Sequence, residues 1–271
     1  MVVHVYGADG AYRGWRAYSR MFSSDDLYTV NEGGERDVRT EKALKFIEDE
    51  FLRVRGALEY KKPLPTGTKA ILACYTAAMR NRSPTARDHW QSFKDRVVDL
   101  GDQMATALAA ASPSERQRMT AASRHSVPDS SGSMTLGEAK EAAAQPFGAW
   151  VLRHIGIEAQ LLQKMNFAIL EAPEGVGFIT SDNPVVWHDA APHQKRRHFG
   201  LAHPHIEVTM PLSPRYCVMF DHAGKDGRGK LDQAAVDLLN SRTLRQAGDC
   251  FIAQSGELVV DWPEEPEQQR E

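Results

Sequence analysis

The sequence predicts an α+β fold, with an N-terminal helical lobe packed on a C-terminal, mainly antiparallel β-sheet. Between about residues 38 and 165, apolar side chains recur at spacings of three and four, which is the period of amphipathic helices. Between about residues 166 and 262, short apolar runs are separated by turns that contain Pro or Gly, a pattern typical of hairpins. Helices and strands that are segregated along the chain in this way favour the α+β class.

Length and composition are consistent with one domain. The chain has 271 residues, of which 42% are apolar and 25% are charged, and both values are ordinary for a globular protein. No stretch between the two lobes has the composition of a free linker. We therefore predict a single domain over residues 1–262, followed by an acidic, polar and disordered tail over 263–271.

Charge and targeting signals narrow the class of protein. The formal net charge of −3 gives no general electrostatic attraction to nucleic acid or membranes. The N-terminus lacks the basic region and apolar core of a signal peptide, and no window approaches a membrane span of about 18 apolar residues. A cytoplasmic, bacterial-type protein with no membrane partner is expected. Cys74, Cys217 and Cys250 lie in apolar contexts, which predicts buried free thiols.

The chain begins with a predicted hairpin and then turns helical. Strands over about 2–6 and 15–22 flank the turn signal Gly7-Ala-Asp-Gly10. A first helix is predicted from Thr40, as its N-cap, with a core stripe formed by Leu44, Ile47, Phe51, Val54 and Leu58. Along one border of that stripe, charged residues recur every seven positions, at Glu41, Glu48 and Arg55.

Further helices complete the helical lobe. A second runs from about Thr66 to Pro84, with an inner face of Ile71, Cys74, Tyr75 and Ala78. Arg82 lies almost three turns after Ile71 and so shares that face, whereas Arg80 does not. A third helix spans Thr85 to about Ala111, with an apolar seam of Trp90, Phe93, Val97, Leu100, Met104 and Leu108. A Ser-rich loop over 112–135 precedes a fourth helix to Met165, interrupted near Pro146.

The sheet lobe is predicted from three hairpins and one helix. Strands over 166–170 and 177–180 form the first hairpin, and strands over 206–210 and 216–221 form the second. A helix follows over 231–244, with Ala235, Leu238, Leu239 and Leu244 facing inward. Strands over 250–253 and 258–260 form a closing hairpin.

The stretch from Phe178 to Trp187, FITSDNPVVW, holds the most suggestive polar group. An apolar run ends in Thr180-Ser181-Asp182-Asn183-Pro184, and an apolar run resumes at once. This pattern is typical of a strand that delivers small polar side chains to a Pro-anchored turn.

A candidate site combines this turn with the first two helices. We expect Glu41, Glu48, Arg82 and Asp182 to act in catalysis, and Ser181 and Asn183 to bind substrate. Carboxylates could bind a divalent metal or act as bases, while Arg and Asn could hold an anionic group. The alternative is a structural ion-pair network in which Asp182 caps the turn.

Other motifs are weaker. The histidines at 188, 193, 198, 203 and 205 could ligate a transition metal with Asp182 or Asp189, but their spacing matches no metal template. Lys195-Arg-Arg197 could contact phosphate, yet three charges do not specify nucleic acid. Ser181 lacks the Gly-x-Ser-x-Gly setting of a nucleophile, and the Gly-rich segment over 224–229 lacks the P-loop pattern.

The chain resembles an uncharacterised bacterial family, domain of unknown function 4238. The resemblance rests on the segments EKALKFIEDEF, Arg82-Ser-Pro84, FITSDNPV, MPLSP at 210–214 and a late helix with Leu239-Asn240. Members of the family usually have a Gln-His segment ahead of the first strand. This sequence starts too late to contain that segment, and His4 falls inside the predicted strand.

The sequence thus predicts a small cytosolic enzyme, a metal-dependent hydrolase or nuclease-like protein that acts on a phosphate-containing substrate. Asp182 and the two glutamates would bind metal or transfer protons, and Arg82 and Asn183 would position the anion. The alternative is a non-catalytic binding or interaction protein with a structural Glu/Arg/Asp network.

Overall fold

The computed structural model describes residues 2–17, 30–32, 35–118, 147–189 and 200–254, and also residues 137, 138, 141 and 143. Contacts divide the chain into two compact units, Met1–Ala86 with Gly148–Glu271 and, separately, Arg87–Phe147. Each unit is described by itself, and the single domain over 1–262 stays a prediction. The predicted strand over 258–260, the tail over 263–271 and the Lys195-Arg-Arg197 motif lie outside the described residues.

The α+β class is confirmed, with helices mainly in the N-terminal part and strands mainly in the C-terminal part. The described helices are α1 (Arg39–Glu59), α2 (Thr68–Asn81), α3 (Pro84–Ala110), α4 (Phe147–Lys164) and α5 (Gln233–Gln246), and residues 113–118 are also helical. The strands are β1 (Val2–Gly7), β2 (Tyr12–Ala17), β3 (Val30–Glu32), β4 (Glu35–Asp37), β5 (Asn166–Glu171), β6 (Thr180–Ser181), β7 (Val186–Asp189), β8 (Ile206–Pro211), β9 (Tyr216–Asp221), β10 (Gly227–Lys230) and β11 (Cys250–Ala253).

Two larger sheets and a two-stranded antiparallel β3–β4 sheet form the described β part of the first unit. The four-stranded sheet has the order β2-β1-β11-β6, so strands from the two ends of the chain lie side by side. The five-stranded sheet has the order β10-β5-β9-β8-β7 and is antiparallel except for the β10–β5 pair. The hairpins β1–β2 and β8–β9 confirm two predicted hairpins, although β2 begins earlier than expected.

The predicted hairpin over 166–170 and 177–180 is wrong. β5 pairs with β9 and β10, whereas β6 pairs with β11 in the other sheet. Before β6, the Asn240 side chain of α5 accepts a hydrogen bond from Ile179 N at 3.0 Å and donates one to Gly177 O at 2.9 Å. A side chain therefore satisfies backbone groups that a hairpin partner would otherwise satisfy, which local sequence patterns do not reveal.

Periodicity identifies the buried face closely in α1 and less closely in α2 and α5, where only Leu239 of the predicted inner face of α5 is buried. In α1, the predicted stripe is buried at Leu44, Phe51, Val54 and Leu58. The N-cap residue is Val38, so Thr40 lies inside the first turn and is not the predicted cap. In α2 the buried face includes Leu72, Ala73 and Ala77, turned slightly from the predicted face.

The second unit contains most of α3. Trp90 is buried, but Phe93, Leu100, Met104 and Leu108 of the predicted seam are about half exposed. Periodicity identifies an amphipathic helix without showing whether its apolar face is covered.

Candidate functional site

The Ser181-Asp182-Asn183 turn is held by hydrogen bonds to the chain before β11. The Asp182 carboxylate accepts from Gly248 N at 2.9 Å and from Asp249 N at 2.8 Å. A Cβ at position 248 would lie 3.0 Å from Asp182 Oδ2, so glycine permits this close approach. The Asn183 amide donates to Gln246 O at 3.1 Å, and Ser181 Oγ accepts from Asn183 N at 3.2 Å. These contacts join β6 to the end of α5.

Glu48 and Arg82 form an ion pair between α1 and the end of α2. Arg82 Nη1 donates to Glu48 Oε1 at 2.5 Å, so this part of the expected convergence is present. Glu41 lies in the first turn of α1 and is half-buried. Over the described chain, no hydrogen bond or ion pair joins Glu48 or Arg82 to Asp182. The catalytic role of these residues stays a prediction.

The described residues contain no group of three or more His, Cys, Asp or Glu side chains that could hold a metal ion. His203 Nδ1 lies 3.9 Å from Asp189 Oδ1, and the His203 and His205 rings are 5.7 Å apart. His193 and His198 lie outside the described residues. A divalent metal therefore remains an expectation from the sequence.

A cavity of about 290 Å³ lies in the first unit, where α1 and α2 meet both sheets. Its apolar lining includes Phe51, Tyr75, Met79, Phe178, Met210 and Ile252. Among the described residues, its polar lining consists of Arg55, Thr180, Ser181, Ser213 and Gln254. Among the predicted site residues, Ser181 lines the cavity, whereas both glutamates, Arg82, Asp182 and Asn183 are absent from its described lining.

Arg55 is the charged residue of this lining, and sequence reasoning missed it as a site residue. It is half-buried, and across the described ranges it makes no hydrogen bond or ion pair within the protein. Its seven-residue spacing from Glu48 places it on the border of the α1 core stripe. This spacing is the sequence feature that points to Arg55, although it does not show that a cavity lies beside this border of the helix.

Two buried hydroxyls add hydrogen-bond donors to the cavity. Ser213 Oγ accepts from Arg215 N at 3.2 Å and from Tyr216 N at 3.3 Å. Ser181 Oγ accepts from Asn183 N. Within the described structure, neither hydroxyl donates its own proton to a protein acceptor, so each can donate to a ligand.

A separate buried polar cluster joins α2, α4 and β7. Arg80 forms an ion pair with Glu158 and stacks on Trp187, with its guanidinium carbon 3.7 Å from the ring centroid. Asn81 donates to Glu158 Oε2 at 2.8 Å. Burial raises the pKa of Glu158, against the smaller lowering by Arg80 and Asn81. Burial also lowers the pKa of Arg80. The shifts have opposite directions because burial disfavours both charged forms.

The three cysteines are free thiols, which confirms that part of their prediction. Cys217 and Cys250 are buried, whereas Cys74 is half-buried. Burial raises the pKa of Cys217 to about 12, and burial is also the first cause of the raised pKa values of Cys74 and Cys250. A raised pKa keeps a thiol protonated and unreactive at neutral pH.

The Asp182→Ala variant is expected to unfold more easily, by about 1–2 kcal/mol, because two backbone N–H groups lose a charged acceptor. Asp182→Asn keeps one acceptor oxygen, so its free energy of unfolding should fall by less. Urea denaturation followed by circular dichroism measures both changes. A stability equal to that of the wild type would show that the turn does not depend on this carboxylate.

Comparisons with known proteins place the chain in a family without assigning an activity. Each helix in the described part of the chain is too short or too polar to span a bilayer. No match was found among curated proteins or among solved structures. The model of the family described as a protein of unknown function, DUF4238, matches residues 2–258, which confirms the resemblance. The chain therefore belongs to the DUF4238 family.

Proposed function

We propose that this protein binds a small, largely apolar ligand that carries an anionic group, in the cavity between α1, α2 and the two sheets. The observation that carries the proposal is Arg55, a half-buried guanidinium without a protein partner in the described chain, in the lining of a mainly apolar cavity. A cation in this position can form charge-assisted hydrogen bonds with a carboxylate or phosphate.

The size and chemistry of the cavity support a small ligand. Its volume of about 290 Å³ is near the lower end of the range for ligand pockets. Its lining is mostly apolar, and its polar side chains are Arg55, hydroxyls and one amide. No Asp or Glu belongs to the described lining. Such a surface offers apolar contacts and an excess of hydrogen-bond donors, which match an apolar molecule with an accepting group.

The metal-dependent hydrolase expected from the sequence has less support than a binding protein. Asp182 accepts hydrogen bonds from two backbone N–H groups, and Glu48 is paired with Arg82. Carboxylates engaged in this way favour the structural network that was the alternative hypothesis. An enzyme that acts on a phosphate-containing substrate remains a second proposal, and metal analysis of the purified protein tests it.

Arg55→Gln is expected to weaken the binding of small apolar carboxylates by roughly 10- to 100-fold, because a hydrogen bond to a charged group contributes about 1.5–3 kcal/mol. Isothermal titration calorimetry with octanoate and 4-phenylbutyrate measures the change. The methyl esters of both acids lack the negative charge. They should therefore bind the wild type about as weakly as the free acids bind Arg55→Gln.

Arg53→Gln is the matched control for this variant. Arg53 lies on the same helix, but its side chain is 65% exposed and paired with Glu50. This variant should bind like the wild type. If neither carboxylate binds the wild type, or if both variants bind equally well, the proposed function is wrong.

A further inference from the structure

A polar groove of about 720 Å³ lies beside the cavity in the same unit. Arg55, Pro214 and Gln254 line both the cavity and the groove. Arg55 therefore borders both spaces. A ligand bound at this guanidinium can extend in both directions, with an apolar part in the cavity and a polar part in the groove.

The groove carries charges of both signs. Its lining contains Arg55, Lys61 and Arg215 as cations and Glu59 and Glu174 as anions. Arg215 is already paired with Glu171, at 2.5 Å. The remaining side chains thus offer both donors and acceptors along the groove, whereas no carboxylate belongs to the cavity lining among the described residues.

This mixture of charges discriminates between classes of ligand. A longer acyl chain would leave the charged groups of the groove without partners, which is costly when they lose water. An oligonucleotide would meet Glu59 and Glu174 with its own negative charge. A peptide carries a donor and an acceptor in each residue, and its side chains can bear either charge.

We propose that the ligand is the C-terminus of a peptide whose last residue is apolar. The last side chain fills the cavity, the terminal carboxylate pairs with Arg55, and the preceding residues lie in the groove. The three substituents of the last Cα then point to the cavity, the guanidinium and the groove, since Arg55 borders both spaces. This inference rests on the proposed function, because the same cavity and the same guanidinium hold the end of the peptide.

Fluorescence polarisation tests the inference with a short labelled peptide that contains Lys and Glu and ends in Leu. Unlabelled N-acetyl-leucine, which fills only the cavity and reaches Arg55, is the competitor for comparison. The free-acid peptide should bind at least roughly tenfold more tightly than N-acetyl-leucine, since the groove adds contacts. The C-terminally amidated peptide should bind at least about tenfold more weakly than the free-acid peptide, because it lacks the negative charge that pairs with Arg55.

A pair of lysine variants separates the groove from the cavity. Lys61→Gln should weaken the peptide several-fold and leave N-acetyl-leucine unchanged, because Lys61 lines the groove but not the cavity. Lys62→Gln is the matched control, since Lys62 is exposed and lies outside both linings. It should change neither affinity.

The failures of the two proposals are distinguishable. If N-acetyl-leucine binds through Arg55 but the peptide binds no more tightly, the peptide inference is overturned and the proposed function stands. A second outcome would also overturn the inference. If longer acyl carboxylates bind more tightly than short ones, while the peptide binds no more tightly than N-acetyl-leucine, the groove binds a lipid chain. If neither the peptide nor any small carboxylate binds, both proposals fail together.

Discussion

Arg80→Met is expected to lower the free energy of unfolding by about 3 kcal/mol at neutral pH, because it leaves the Glu158 carboxylate buried without its cation. Methionine keeps the unbranched apolar stem of arginine but loses the guanidinium that stacks on Trp187, so a part of the loss that does not depend on pH comes from packing. The estimate is at the lower end of the range for breaking a buried pair, since the Arg80 side chain is 35% exposed. Urea denaturation of the variant and the wild type measures the difference.

The loss of stability in Arg80→Met should depend on pH. Burial already raises the pKa of Glu158, and removal of Arg80 takes away a charge that lowers it. In the variant, the folded state therefore holds the Glu158 proton more tightly than the unfolded state does. The resulting stabilisation is fully present below the unfolded pKa and is lost as pH rises through the raised folded pKa. The difference between variant and wild type should therefore be smallest in acid and grow towards neutral pH.

Two comparisons isolate the buried charge. Adding Glu158→Gln to Arg80→Met should recover part of the stability at neutral pH, because no buried charge then remains. Arg53→Met breaks an Arg–Glu pair on the surface, and it should cost less than about 1 kcal/mol at any pH. A pH-independent loss in Arg80→Met would show that packing, and not the charge of Glu158, accounts for the effect.

Asn240→Ala is expected to lower the free energy of unfolding by about 2–4 kcal/mol. The Asn240 side chain is buried, and it bonds both Ile179 N and Gly177 O, ahead of β6. Its removal leaves one backbone donor and one backbone acceptor unsatisfied, at a cost of about 1–3 kcal/mol each. Hydrogen exchange should also show faster exchange at Ile179 N than in the wild type.

Gln246→Ala is the matched control for Asn240, because it removes an exposed amide from the same helix. It should change the stability by less than about 0.5 kcal/mol. Asn240→Asp keeps the acceptor for Ile179 N, but it loses the donor to Gly177 O and buries a carboxylate, so its loss of stability at neutral pH should be at least as large. If Ile179 N exchanges at the wild-type rate in Asn240→Ala, the segment before β6 is held by other contacts.

Helices and short hairpins could be predicted because their signals lie close together in the chain. The stripe of Leu44, Phe51 and Val54 follows the helical period, and Pro211 to Pro214 separates two apolar runs that pair as β8 and β9. The turn at Asp182 could also be predicted as a polar strand end. Whether its carboxylate faces solvent, a ligand or the backbone of Gly248 depends on contacts far along the chain.

The sequence by itself determined the α+β class, the positions of α1, α2 and α5 and the polar turn, since each depends on neighbouring residues. The tertiary structure alone decided that β5 and β6 belong to different sheets and that Arg80 meets Glu158. It also decided that Arg55 and Ser181 share one cavity. The physical reason is that apolar periodicity specifies which face of an element is buried, but not which other element buries it.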